Sequence, residues 1–335
     1  MPQVNVTIEG IVLYCDDSLD GMSLGNGYSI QKQYFDALPF KEKIVDGRNR
    51  LSINYLGSQR EDDSGRVYFL CLYKEDAFPV QLPELSTGAV LTDSDLMCET
   101  QLEQYMDQER AYLNKVFTLL RVFKEGNIGP KEVFFTHKFS AGILHNTKTQ
   151  TSDNVTRNIV DTRLYKLTSD EKAECISFLG QHSGASYDLF HPSMDEFVWG
   201  LEQTDEATGF EQYTTALEMT MLATGQQGKK QVLSKRTAVL LESNPADITA
   251  LYNRMLDFYR FRSESLHEGD GQNITSAELL EMEGIVRRVM QKYLSYVSSQ
   301  IALRPTVTWD ELKTEKINDL KNDVQAAVSA GILPV

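Results

Sequence analysis

The chain has few cysteines and no long hydrophobic run, and both shortages exclude classes of protein. Its four cysteines lie far apart without a CxxC pair, which disfavours a disulfide scaffold and predicts buried thiols in a reducing compartment. No apolar stretch approaches the roughly 18–20 residues that a membrane-spanning helix needs. Residues 1–6 lack the basic and apolar regions of a signal peptide. The sequence therefore predicts a cytoplasmic protein that does not enter a membrane.

Signals of metal and phosphate-loop chemistry are also missing. The histidines form no HxH, HxxxH or HExxH unit, and no cysteine stands at ligand spacing from them. The sequence contains neither a glycine-rich phosphate loop nor a Gly-x-Ser-x-Gly nucleophile motif. We therefore expect no bound metal and no cofactor.

Acidic residues exceed basic ones, and the excess is unevenly distributed. The formal net charge of −15 disfavours a protein that coats nucleic acid without specificity. Residues 205–304 contain 11 Lys/Arg and 13 Asp/Glu, so this region is nearly neutral and can offer a local cationic site. We expect the acidic N-terminal region to bind a protein partner or trigger instead.

The first 150 residues are rich in β-strand patterns. Alternating or continuous apolar runs predict strands at residues 4–14, 50–56, 67–73, 133–135 and 141–144. An apolar stripe predicts one long helix over about residues 94–124, and the polar stretch 146–158 predicts an exposed loop. Residues 151–204 are expected to form a linker with short helices. The first 150 residues are thus expected to form a β-rich N-terminal domain.

Helical patterns dominate from residue 205 onward. Four amphipathic segments are predicted at residues 210–224, 231–241, 248–267 and 276–299, separated by short turns that contain Gly or Asn-Pro. Short loops between four helices predict an antiparallel bundle over residues 205–300, and a final helix is expected within residues 305–335. The predicted fold class is α+β, a β-rich N-terminal module followed by an all-α antiparallel helical bundle.

The third predicted bundle helix ends in an Arg-x4-His pattern formed by Arg262 and His267. Histidine titrates near neutrality and can exchange the protons of RNA cleavage, while the arginine fork matches phosphate oxygens. Five helical positions turn about 500°, so the two residues lie roughly 140° apart around an ideal helix. They converge if the helix end distorts, or if a second subunit supplies its own pair across a two-fold axis. A composite dimeric site is the favoured interpretation.

The context of this motif resembles the ApeA-like branch of the HEPN superfamily over about residues 205–300. The matching segments are Tyr213–Glu218, Leu233–Leu241, Leu256–Gly269 and Glu278–Val289. The resemblance implies a dimeric HEPN helical bundle that cleaves RNA without metal by 2′-OH attack, with Arg262 and His267 as the catalytic pair. It also implies a role in bacterial anti-phage defence or a toxin-like stress response. Ser263 follows the arginine where many family members have Asn, Asp or His.

Further residues around the motif are candidates for supporting roles. The candidate auxiliary residues are Glu264, Ser263 and Tyr259. The candidate RNA-binding residues are Lys229, Lys230, Lys235 and Arg236. The alternative is structural: Arg262 pairs with Asp257 or Glu264, and His267 lies on the negative end of the helix dipole. In that case the bundle is a non-catalytic interaction or nucleotide-binding subunit of a larger assembly.

Overall fold

The computed structural model describes residues 3–46, 50–79, 92–141, 144–152, 163–268 and 274–335. It describes the backbone alone at residues 53–54, 92–99, 138–141, 144–152 and 263–268. The chain forms two compact units, residues 1–120 with 126–180 and residues 121–125 with 181–335. The first contains a sheet and the second is helical, so the predicted α+β class is confirmed.

The first unit is built on an antiparallel sheet. Its strands are β1 (Gln3–Leu13), β2 (Ser23–Gly25), β3 (Tyr28–Tyr34), β4 (Arg60–Glu61), β5 (Val67–Pro79), β6 (Gly129–Pro130), β7 (Val133–Ala141) and β8 (Leu144–Ser152). Their order is β2-β3-β5-β1-β7-β8, with β4 also on β5 and β6 also on β1. The helices that begin in this unit are α1 (Lys41–Ile44), α2 (Ile53–Leu56), α3 (Thr92–Phe123) and α4 (Ser169–His182).

Both faces of the sheet are covered near its centre. On one face, α3 packs through Glu109, whose carboxylate accepts from Tyr28 at 2.6 Å and from the buried Lys74 ammonium at 2.9 Å. On the other face, segments around α1 and α2 complete an apolar cluster with β1, β5 and β7. The buried members of this cluster are Ile11, Leu13, Leu38, Phe40, Ile44, Tyr55, Phe69, Cys71 and Phe134.

Two local predictions in this unit are wrong. Residues 50–56 do not form a strand: Leu51 makes a single bridge with Val45, and α2 follows. Both edges of β5 are already occupied, by β1 on one side and by β3 and β4 on the other, so this segment packs on the face of the sheet. Residues 144–152, which overlap the predicted loop, form β8 on β7, because alternating threonines suit a polar edge strand.

The second unit consists of packed helices. They are α5 (Ala185–Leu201), α6 (Glu206–Met221), α7 (Lys229–Leu241), α8 (Pro245–Glu268), α9 (Ser276–Leu303) and α10 (Trp309–Ser329). The four predicted bundle helices correspond to α6–α9. In addition, α5 packs on α6 and α9, and α10 packs on α7. Reciprocal capping boxes start α9 at Thr275 and α10 at Thr308.

Residues 151–204 contain more helix than the sequence predicted. Helix α5 runs for 17 residues although Pro192 lies inside it. Proline removes the N–H that would bond the carbonyl four residues earlier, that of Asp188. The Nδ1 of His191 donates to this carbonyl at 2.9 Å instead, which compensates for the lost bond.

The described cysteine thiols are those of Cys15, Cys71 and Cys175, and all three are buried and free of disulfides. The side chain of Cys98 lies outside the described residues. Across the described part of the chain, every helix is too short or too polar to cross a bilayer.

Candidate functional site

The candidate site lies on the second half of α8. The helix begins with Pro245, where a missing N–H costs no hydrogen bond, and the Ala246 N–H donates to the side chain of Asn244 at 2.9 Å. Its buried face repeats every three or four positions, at Ile248, Tyr252, Met255 and Phe258. Tyr259 and Arg262 are three positions apart and therefore project on the same side of the helix.

One carboxylate, that of Glu218 on α6, binds three donors. Oε1 accepts from the Tyr259 hydroxyl at 2.8 Å and from Nη1 of Arg262 at 2.9 Å. Oε2 accepts from the ammonium of Lys229, the first residue of α7, at 2.6 Å. Three helices therefore meet at this carboxylate, and we call these four side chains the Glu218 cluster.

The protonation states within the Glu218 cluster follow from its contacts. Burial raises the pKa of Glu218, but the hydrogen bonds from Lys229 and Tyr259 and the charges of Arg262 and Lys229 outweigh it, so the pKa is lowered. Burial, followed by the neighbouring Glu218 charge and hydrogen bond, raises the pKa of Tyr259. At neutral pH the cluster contains a carboxylate, a neutral phenol and two cations, with a net charge of +1.

Arg262 is held firmly but is not completely enclosed. Its side chain is 22% exposed, whereas that of Glu218 is 13% exposed. Its Nε is buried, and no acceptor among the described residues faces it. Asp257, one of the two alternative partners, binds Arg260 at 3.2 Å instead. The side chain of the other, Glu264, lies outside the described residues.

The remaining residues of the motif are placed by their backbone only. Helix α8 continues to Glu268, so Ser263, Glu264 and His267 are all in helical conformation. Their side chains, including the predicted catalytic imidazole, lie outside the described residues. Because the backbone is helical up to His267, the angular separation of roughly 140° between positions 262 and 267 remains the expectation.

The four predicted RNA-binding cations do not form one patch. Lys229 belongs to the Glu218 cluster, and Lys230 beside it is exposed. The Lys235 ammonium donates to the carbonyl of Pro334 at 2.6 Å. Arg236 is buried in the core and donates to the carbonyl of Met221 at the end of α6, where the negative helix end favours a cation. Arg236 is therefore a core residue and is left out of the proposed RNA-binding set.

Sequence reasoning did not identify Glu218 as a site residue. It appeared only as the last position of a segment on which the expected family resemblance rests. One local signal does single it out, because a glutamate in the last turn of α6 lies at the negative end of that helix. The negative end of a helix disfavours a carboxylate unless nearby cations compensate. Here the cations are Lys229 on α7 and Arg262 on α8.

Comparisons of the whole chain with family models, with curated proteins and with solved structures found no match in any of the three. Within the described residues, His, Cys, Asp and Glu side chains form no group of three that could hold a metal ion. The function is therefore argued from the site itself and from the sequence motif.

Proposed function

We propose that this protein is a cytoplasmic endoribonuclease of the HEPN type that cleaves RNA without metal. The observation that carries the proposal is the setting of Arg262: a partly exposed guanidinium that donates to the half-buried carboxylate of Glu218, which also accepts from Tyr259, in a cluster of net charge +1. Such a cluster suits one phosphodiester, which carries one negative charge.

The proposed reaction assigns each residue a step. The imidazole of His267 accepts the proton of the ribose 2′-OH, and the 2′-oxygen attacks the adjacent phosphorus. Arg262 stabilises the negative charge that develops on the phosphoryl oxygens. The bond from phosphorus to the 5′-oxygen breaks, and the leaving oxygen takes a proton from water. The products are a 2′,3′-cyclic phosphate and a free 5′-hydroxyl.

The first prediction concerns cleavage itself. Wild type should cut a mixed RNA pool in the presence of EDTA and leave 2′,3′-cyclic phosphate ends, whereas Arg262→Ala and His267→Ala should not. Arg260→Ala is the matched control, because Arg260 is two positions away and 56% exposed, and its partner is Asp257. It should retain wild-type cleavage.

A second assay covers an enzyme that needs a cellular trigger. Expression of the wild type in bacteria should arrest growth, and His267→Ala should not. Identical behaviour of wild type and both site variants in the two assays contradicts the proposal.

A second prediction tests the composite site. If Arg262 of one chain works with His267 of the other, a heterodimer of Arg262→Ala with His267→Ala has one intact site of two. Equal mixing with free subunit exchange should therefore restore about one quarter of wild-type cleavage, because about half of the dimers are mixed. Each variant alone should remain inactive. No recovery despite demonstrated exchange, or a chain that sediments as a monomer at high concentration, argues against the arrangement.

The second candidate function is a non-catalytic HEPN module that binds a nucleotide or a protein within a larger assembly. The ion pair between Arg262 and Glu218 favours it, because a neutralised arginine can serve packing alone. Cleavage in EDTA that depends on His267 separates the two candidates.

Regulation by the N-terminal region belongs to the same proposal. The acidic first part of the chain would bind a protein partner or trigger during phage infection or stress, and the nuclease would be restrained until then. This step rests on analogy with the family and on the charge distribution.

A further inference from the structure

The Glu218 cluster has an unusual balance of donors and acceptors. A single carboxylate from α6 accepts from Lys229, Tyr259 and Arg262, at distances between 2.6 and 2.9 Å. An ion pair that served stability alone would need one cation for one anion. Here two cations share one anion, so one positive charge remains without a counter-ion inside the cluster.

The two cations have donor hydrogens that Glu218 does not use. A guanidinium has five N–H donors, and Arg262 donates to the carboxylate through Nη1 while its side chain remains 22% exposed. The side chain of Lys229 is 53% exposed, and an ammonium has three donor hydrogens of which Glu218 takes one. Both cations can therefore donate to a further anion while they remain bound to Glu218.

We propose that Glu218 is a positioning residue that holds Arg262 and Lys229 as a pair, so that both contact the same phosphodiester group of a single-stranded RNA. The inference rests on the proposed function, since it assigns the substrate contact of that site. Lys229 thereby becomes a binding residue, whereas Glu218 acts only through the two cations. A phosphate at this point brings the net charge of the cluster from +1 to zero.

The neutral variant Glu218→Gln separates this role from simple packing. It keeps the shape and one oxygen acceptor but removes the negative charge, so the cluster becomes +2. An unneutralised cation binds phosphate more tightly, and we expect the Kd for a non-cleavable 2′-O-methyl RNA to fall about fivefold. The guanidinium loses its orienting charge, and we expect kcat to fall about tenfold or more. KM and kcat therefore decrease together, which a purely structural role does not produce.

Lys229→Met gives an independent test at a more exposed position, since the Lys229 side chain is 53% exposed. It should raise the Kd for the same RNA several-fold. It should also make binding less sensitive to salt: the magnitude of the slope of log binding constant against log salt concentration should decrease by about 0.7, the value for one contact with a single-stranded phosphate. Glu242→Gln is the matched control. It removes the same charge from another ion pair of this unit, in which Glu242 binds Arg288 at 2.7 Å, and should leave the Kd unchanged.

The outcomes distinguish this inference from the nuclease proposal, because binding of 2′-O-methyl RNA requires no cleavage. Tighter binding by Glu218→Gln and weaker binding by Lys229→Met support the inference even if wild type cleaves nothing. An unchanged Kd in a folded Lys229→Met protein overturns it even if wild type cleaves RNA. Unchanged or weaker binding by Glu218→Gln, with a native tryptophan emission spectrum, overturns it as well.

Discussion

Replacing Arg121 with methionine should destabilise the helical unit by about 3–5 kcal/mol, because it removes a buried cation that donates to a buried glutamate. The Nη1 of Arg121 donates to Oε1 of Glu202 at 3.0 Å, and these side chains are 2% and 8% exposed. Burial lowers the pKa of Arg121, and the neighbouring Glu202 charge partly opposes this shift. The carboxylate has little water to replace the lost partner, so the variant bears most of the cost of its desolvation.

The position of Arg121 makes the expected loss of stability larger than the loss of one ion pair alone. Arg121 lies in the last turn of α3, whose carbonyls bind α9: Arg121 O accepts from Nε of Arg287 at 2.9 Å, and Gln291 donates to Val122 and Phe123. These bonds satisfy carbonyls that every helix leaves free at its end. Residues 121–125 belong to the helical unit, so removing the Arg121 side chain weakens a segment whose backbone also binds α9.

Tryptophan fluorescence during urea unfolding measures this loss selectively, because the two tryptophans of the chain, Trp199 and Trp309, both belong to the helical unit. Arg304→Met is the control, since the Arg304–Glu315 pair has side chains 41% and 45% exposed and should contribute at most about 1 kcal/mol. Replacing Arg121 and Glu202 together with apolar residues should recover much of the loss. Equal losses in Arg121→Met and Arg304→Met contradict the prediction.

Helices could be predicted from the sequence where the residues that determine them are close together in the chain. Periodicity and turn residues placed α7 and α9 within a few residues, because the apolar stripes and the residues that begin these helices, Gly228 and Thr275, are close together in the sequence. Helix α5 lies in the region 151–204, for which the sequence predicted only a linker with short helices, and it contains Pro192. Burial of its aromatic and methionine side chains Tyr187, Phe190, Met194 and Phe197 outweighs the cost of about 3 kcal/mol for an internal proline.

Strand predictions depended instead on pairing, which is not local. Strand β1 was predicted because Val4, Val6 and Ile8 alternate and then join a continuous apolar run. The segment around Leu51 has a comparable pattern, but no edge of the central strands is left for it. Polarity pointed to a loop at residues 146–158, although a strand at the edge of a sheet can be polar on both faces.

The candidate site likewise contains residues that could be predicted from nearby sequence and one that could not. Arg262 was identified from the Arg-x4-His pattern, and Tyr259 was a candidate auxiliary residue because it lies beside that pattern on the same helix. Glu218 is 44 residues away from Arg262 and comes into contact with it only through the packing of α6 against α8. Spacing rules describe one helix at a time, so a counter-ion on another helix leaves no comparable pattern.

A methyl group at Gly200 should destabilise the helical unit by about 1–3 kcal/mol, although alanine is normally the better helix former. Gly200 lies near the end of α5, where the backbone approaches α6 closely. A Cβ there would lie 2.4 and 2.5 Å from Cε1 and Cδ1 of Tyr213, and 3.1 Å from the carbonyl oxygen of Gly209. The Tyr213 ring is 1% exposed and packs against Phe197, so it cannot move aside without disturbing the core.

Gly284→Ala in α9 is the matched substitution, because outside the adjoining residues and backbone of α9 no heavy atom of the described chain lies within 4 Å of the added methyl group. The same chemical change should there stabilise the unit by up to about 1 kcal/mol through reduced backbone freedom in the unfolded chain. The change in the free energy of unfolding is measured for both variants by tryptophan fluorescence in urea. If its sign is opposite in the two variants, the loss at Gly200 comes from the contact between α5 and α6 and not from helix propensity. A stabilised Gly200→Ala would mean that α5 and α6 do not approach each other as closely as this structure has them.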